Sequence, residues 1–439
     1  MDATTSRSPG EESWERLQKV GAEAFARGDY NEAEKQWLAA AQEAEKALGP
    51  RDPRLAHTLH TLAQAYTRAA RYETAEVLHR RALEIRQLSV GEGSAEAASS
   101  LAALAGCAWR RGDLPAAEPM LRRAMEIRRQ LGDATVEFAE LLGDLAILLA
   151  TRGDFAAAEP LFRHALAIEE KACGPASVKV ASTLNNLGHY CLTFGRLVDA
   201  LALLERANSI QEALLAPEHP ARAGTLVNLA QALARQGRNA EARTALEQAL
   251  RIREQTVGPN HVDLIALLSG LAKLNGALGD AQAADRLLGR ALPIAQQRLG
   301  PSHVTVGELL LLQAEAALAI GANARAERLL DRALPILEAG FGPEHRLLVC
   351  ARGQLARALV AQDRLEEAEP LLDELVRLLE RRGDLTTAGE IASLLEDYAR
   401  VVEVLGRDRE AADLRARARA ARRRDGPPSG ACGTGGGGS

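Results

Sequence analysis

Aromatic residues are scarce: Phe, Trp and Tyr make up 3% of the 439 residues. A core with so few rings must be built from small and aliphatic side chains, chiefly Ala and Leu. No apolar run approaches the roughly 18 residues that a membrane helix needs. The densest patch, ELLLLQAEAALAIG at 308–321, is interrupted by Gln313 and Glu315. The opening MDATTSRSPGEESWERLQ lacks the apolar segment of a secretory signal. Five cysteines (Cys107, Cys173, Cys191, Cys350, Cys432) show no C-x-x-C spacing, which fits packed thiols in a reducing cytoplasm better than a disulfide framework. A net charge of −5 is small for this length and gives no global attraction to nucleic acid or membrane.

Catalytic signatures are missing too. There is no phosphate-binding G-x-x-x-x-G-K-[ST], no G-x-S-x-G, no H-E-x-x-H and no G-x-G-x-x-G opening a helix. His57 and His60 share a helix face but have no evident third ligand, so they read as exposed histidines. Cys191 falls at a core-facing position and reads as an inert thiol. The chain is therefore read as non-enzymatic, with no cofactor.

What is present is a repeat. TLNNLGHYCLTFGRLVDALALLERANSIQEALLAPEHP from 183 and TLVNLAQALARQGRNAEARTALEQALRIREQTVGPNHV from 225 align at an offset of 42. Anchored on a turn glycine, the period runs through Gly28, Gly112, Gly153, Gly195, Gly237, Gly279, Gly321 and Gly406, with Ala70 and Asp363 in the two remaining slots. Seven residues before and five residues after each anchor the residue is always Gly or Ala; twelve after, it is Ala except at Leu375. Helix axes approach closely only where side chains are small, so these columns mark the seams of antiparallel helix pairs. One pair cannot bury its apolar face alone, and the pairs must stack.

A helix pair with small residues at these offsets resembles the tetratricopeptide repeat. The 42-residue period, with TLxNLA, AExLLxRALxIRE and a GPxH linker, is similar to kinesin light chain repeats. The resemblance implies an all-α, right-handed α-solenoid of about ten helix pairs over residues 12–424. It leaves a flexible N-terminus at 1–11 and a Gly-rich tail at 425–439 that ends in GGGGS. The aromatic usual four residues before the anchor survives only as Tyr66, which implies softer packing. The Ala/Arg-rich composition looks like that of a GC-rich bacterial protein, so motor transport is not carried over.

Punctuation follows the period. His219, His261, His303 and His345 recur in the GPxH linkers. Equivalent residues of successive repeats stand too far apart to share a metal ion, so these are read as turn histidines. Pro293 and Pro335 fall inside second helices, where loss of a hydrogen bond predicts a kink. Six arginines lie within 415–424, at the end of the last helix.

By the same resemblance, the exposed slots of a concave groove lie ten, nine, six, three and two residues before each anchor. They hold Lys19, Arg68, Arg110, Arg235, Lys273 and Arg357, with His60 and His189, against only Asp144 and Glu315 before the last repeat. There Glu396, Asp397 and Glu403 reverse the sign. Asn185, Asn186, Asn228 and Gln231 supply amides, alongside Gln64 and Gln354, and Trp109 reads as an exposed ring. Leu311, Leu312 and Leu318 are read as seam rather than pocket. Asn186 and Asn228 form a short ladder, and matching asparagines hold the bound peptide's backbone in the kinesin light chain pattern. The leading expectation is a cytoplasmic interaction scaffold that takes an extended, acidic peptide segment of a protein partner around repeats 4–6. A sensory module acting on a separate effector is the alternative. Nucleic-acid binding through the Arg-rich end is disfavoured, and no membrane partner is expected.

Overall fold

The computed structural model describes residues 8–27, 29–132, 134–381 and 388–424. Gly28, Cys432 and the 425–439 tail lie outside them. The regular structure among these residues is helical throughout, and it falls into two compact units, 1–214 and 215–439. Each unit carries five helix pairs.

The first unit contains α1 (Pro9–Ala26), α2 (Tyr30–Leu48), α3 (Pro53–Arg68), α4 (Tyr72–Ser89), α5 (Ala95–Arg110), α6 (Leu114–Gln130), α7 (Val136–Thr151), α8 (Phe155–Cys173), α9 (Val178–Thr193) and α10 (Leu197–Leu214). The second contains α11 (Pro220–Arg235), α12 (Asn239–Val257), α13 (Leu264–Ala277), α14 (Ala281–Leu299), α15 (Val304–Ala319), α16 (Asn323–Phe341), α17 (Arg346–Val360), α18 (Leu365–Arg381), α19 (Ala388–Val404) and α20 (Asp408–Arg424). Helix α1 begins three residues before the expected boundary at 12. Ser8 and Glu11 form a reciprocal capping box there, and Pro9 occupies the first turn.

The anchor slot has one backbone reason. Its described glycines have φ between 76° and 94°, and the two substitutes, Ala70 and Asp363, are forced to 57° and 63°. The residue after each anchor donates its N–H to the carbonyl five positions back, as Asp113 does to Ala108 at 2.9 Å and Arg238 to Leu233 at 2.9 Å. This is a left-handed helix stop, which glycine accepts without strain. Ala70→Gly and Asp363→Gly are each expected to raise stability by about 1 kcal/mol. Urea midpoints measure this, and an unchanged or lowered midpoint at both sites contradicts the reading.

The linker histidines have a structural task. His219, His303 and His345 are N-caps: the Nδ1 of each accepts from a backbone N–H two residues on, at 3.2, 3.2 and 3.3 Å. Asp52 fills the same slot through Arg54 N–H at 2.8 Å.

Small-residue columns are buried as the repeat demands. Gly188 shows the tightness: a Cβ there would stand 2.7 Å from Leu204 Cγ. Ion pairs tie the turn of one repeat to the second helix of the repeat before it, such as Arg111–Glu76 at 2.8 Å and Arg364–Glu327 at 2.6 Å. Helices α14 and α16 continue through Pro293 and Pro335 rather than ending there. Odd-numbered helices also touch one another, α3 with α5 and α7 with α9 in the first unit, α13 with α15 and α15 with α17 in the second. These helices form the inner layer of each unit, and the predicted groove slots are on them.

Candidate functional site

In the first unit, α3, α5 and α7 surround a cavity of about 530 Å³. Five residues expected in the groove meet in its lining: His60, Gln64, Arg68, Arg110 and Asp144. Both arginines are exposed. Arg68 lies over the Phe25 ring at 4.9 Å, and Arg110 donates to Gly106 O at 3.2 Å. Neither has a carboxylate within ion-pair distance among the described residues. Asp144 is open to water at its surface yet crowded by the surrounding walls. That crowding, together with Glu140, pushes its carboxyl up to about 6, against the pull of Arg110.

Other residues of this cavity were not foreseen. Glu137 and Glu140 line it from the start of α7, so it is less uniformly basic than the groove slots predicted. Glu140 pairs with Lys179. His79, on α4, is 1% exposed and stacks edge-on against His60, with ring centroids 4.8 Å apart. His60 is thus a half-buried partner of His79 rather than an exposed groove histidine; His57 remains exposed.

Burial, with Arg86 nearby, pushes His79 down to about 4, and the same causes with the neighbouring histidines push His60 to about 3. Both rings are therefore neutral near pH 7. The unfolded His79 binds its proton near 6.5, so this site removes stability as pH falls from about 6.5 towards 4. The loss between pH 7.5 and 5 is expected to reach about 2 kcal/mol at His79. His79→Gln should flatten that part of the urea-midpoint profile; an unchanged slope rules the assignment out.

The wall behind the cavity rests on a buried polar column that the repeat reading left unremarked. Sixteen residues after the anchor stand Arg86, Arg128, Glu169 and Gln211 in the first unit, each no more than 9% exposed. Arg86 donates to Ser100 Oγ at 2.7 Å and to Glu96 O at 3.0 Å, and Arg128 donates to Ser99 Oγ at 3.1 Å. Thr183 hydrogen-bonds Glu169. In the first repeat the same slot holds Ala44, and in the second unit it holds Arg253, Ala295, Leu337, Leu379 and Arg422. The slot is polar from Arg86 to Arg253 and apolar from Ala295 to Leu379.

The remaining predicted residues are dispersed. Trp109 is half-buried and does not line the cavity with Arg110. Asn185, Asn186 and His189 are half-buried on α9 of the first unit. On the second unit Asn228 is half-buried, Gln231 and Arg235 are exposed on α11, and Lys273 is exposed on α13. Arg357 is already engaged, at 2.8 Å from Asp397. The acids of the last repeat are likewise occupied: Glu403 by Arg415, and Glu396 by Arg422 at 2.9 Å. Leu311 is buried, yet it lines a cavity of the second unit, as Leu312 and Leu318 also do. Cys191 is fully buried, and desolvation pushes its thiol upward, away from nucleophile behaviour.

The tetratricopeptide repeat family model matches residues 17–88, 71–130, 137–213, 221–297 and 305–381. The chain belongs to the tetratricopeptide repeat family, whose fold is that of a protein-interaction scaffold. Among solved structures, it is similar to a putative kinesin light chain from Podosopora anserina with nearly identical repeats. That likeness has 28% identity, 46% of this chain and 94% of the other, and a TM-score of 0.40. BtubC (BKLC) from P. vanneervenii is 22% identical over 57% of this chain and 94% of its own, with a TM-score of 0.43. The apo quorum sensor NprR from B. thuringiensis is 14% identical over 84% of this chain and 99% of its own, with a TM-score of 0.55. No curated protein matches the chain. No helix among the described residues is long and apolar enough to cross a membrane.

Proposed function

We propose that the protein is a cytoplasmic, non-enzymatic scaffold whose inner helices hold an extended, acidic segment of a partner protein. The observation that carries this reading is the first-unit cavity, where Arg68 and Arg110 stand at the surface with no carboxylate of the described residues within ion-pair distance. A partner carboxylate between two guanidinium groups gains charge-assisted hydrogen bonds. Asn185, Asn186, His189 and Trp109 on the first unit would supply further backbone and side-chain contacts. On the second unit, Asn228, Gln231 and Arg235 would meet a partner segment in the same way. The basic end of α20 supports this reading over nucleic-acid binding, because Arg415, Arg417 and Arg422 are each paired with a glutamate.

Asp144 provides the test. Above about pH 6 its carboxylate competes with the ligand for Arg110; below, it is protonated and the competition ends. Binding of a Glu-rich decapeptide should strengthen from pH 7.5 to 5.5, where the peptide's own carboxylates stay ionised. Asp144→Asn should bind about threefold to tenfold more tightly at pH 7.5 and lose the pH dependence. Weaker binding at pH 5.5, or an Asp144→Asn variant with unchanged affinity and profile, counts against the reading.

A further inference from the structure

Helices α13, α14 and α15 of the second unit line an open cavity of about 550 Å³, within the size range of ligand pockets. Its origin is legible residue by residue. The slots three and two before the anchor, filled by Trp109 and Arg110 on α5, hold Gly276 and Ala277 on α13 and contribute Ala319 from α15. Ala316 continues the small-residue wall, and Leu288 and Leu312 make the rest of it apolar. Missing side-chain volume on both inner helices leaves a space that the repeat itself does not fill.

Two charges mark it. Lys273 and Glu315 occupy the same slot, six before the anchor, on neighbouring inner helices. Both are exposed, and neither has an ion-pair partner within the described residues. Neighbouring axes lie about 10 Å apart, and the ends of a five-residue extended segment stand about 13 Å apart, a difference that the long Lys and Glu side chains take up.

We infer that this cavity is a second recognition site, for an extended peptide segment with a bulky aromatic side chain flanked by one acidic and one basic residue. The ring fills the apolar space, the acid meets Lys273 and the base meets Glu315. Alternate residues of an extended chain point to one face, so the pattern is acid-x-aromatic-x-base. The site differs in chemistry from the acidic-segment site of the first unit and does not rest on it. The segments 1–7 and 425–439 are poor occupants, since they contain no aromatic residue.

The experiment is fluorescence anisotropy of the full chain with labelled nonapeptides carrying Glu-x-Trp-x-Lys. Replacing the peptide's Trp by Ala should weaken binding at least about tenfold, the effect of burying a large apolar side chain. Peptides with Glu at both ends or Lys at both ends should each bind less well than the mixed one. Lys273→Glu should shift preference to the two-Lys peptide and Glu315→Lys to the two-Glu peptide; both changes lie on the surface. Ala319→Leu should fill the cavity and abolish binding at an unchanged thermal midpoint. An Arg68→Glu/Arg110→Glu chain should bind the mixed peptide normally, which separates failure here from failure in the first unit. The proposal is overturned if the Trp→Ala peptide binds equally, if charge preference does not follow the two variants, or if none of the peptides binds. Self-association that Ala319→Leu blocks would instead assign the cavity to a second copy of the chain and overturn it too.

Discussion

Reversing Arg68 and Arg110 together to Glu should lower affinity for an acidic decapeptide by about a hundredfold or more. Each guanidinium lost removes a charge-assisted contact of roughly 1.5–3 kcal/mol, and each new carboxylate adds repulsion. About 3 kcal/mol in total already corresponds to about two orders of magnitude in Kd. The fold should survive, because both side chains are exposed and neither holds an ion pair among the described residues. The main internal loss is the stacking of Arg68 on Phe25, worth roughly 0.5–1 kcal/mol at such a site. Arg68→Gln with Arg110→Gln should give an intermediate loss, and a basic decapeptide should gain affinity for the reversed variant. Titration calorimetry measures both. An acidic peptide that binds the reversed variant within threefold of the parent would remove the basis of the proposed site.

The largest stability effect should come from Phe162→Ala. Phe162 is fully buried on α8 and stacks with Tyr190 of α9, with ring centroids 5.6 Å apart. Truncation of a buried ring typically costs about 3–5 kcal/mol, through lost transfer energy and the cavity left behind. The upper part of that range applies here, because the neighbouring columns are Ala, and short side chains cannot swing in to refill the space. Stacked repeats hold together through nearest-neighbour interfaces, so the damage should spread within the first unit. Urea unfolding followed by circular dichroism is the measurement. A loss under about 1 kcal/mol would mean that Phe162 is not a packing centre.

Much of the architecture was legible because repetition amplifies weak signals. One glycine before a helix is ambiguous, but a 42-residue series of them is not, and Ala70 and Asp363 keep the same left-handed φ without being glycine. The linker histidines were recognisable as turn residues, although their Nδ1 capping bonds depend on geometry that spacing does not encode. The cavities were harder to see. His79 and Arg128 belong to second helices, where a period-based reading looks for seam rather than lining. Burial of Arg86 depends on Ser100 arriving opposite it, a contact between repeats rather than within one. Leu312 illustrates the converse. A leucine reads as seam, but the small residues facing it, Gly276 and Ala277, leave space where the seam would close. The charge of the groove was read from slots alone, so the partners that occupy Arg357 and Glu403 were invisible until the helices were placed.

The most direct measurement of where a partner sits is photo-crosslinking. A Glu-rich decapeptide carrying a benzophenone side chain, irradiated with the intact protein and mapped by mass spectrometry, reports contact residues without assuming them. The account predicts adducts on α3, α5 and α7, concentrated near Arg68, Arg110 and Asp144 and lost in the Arg68→Glu/Arg110→Glu variant. Adducts confined to the even-numbered helices, unchanged by that variant, would contradict it.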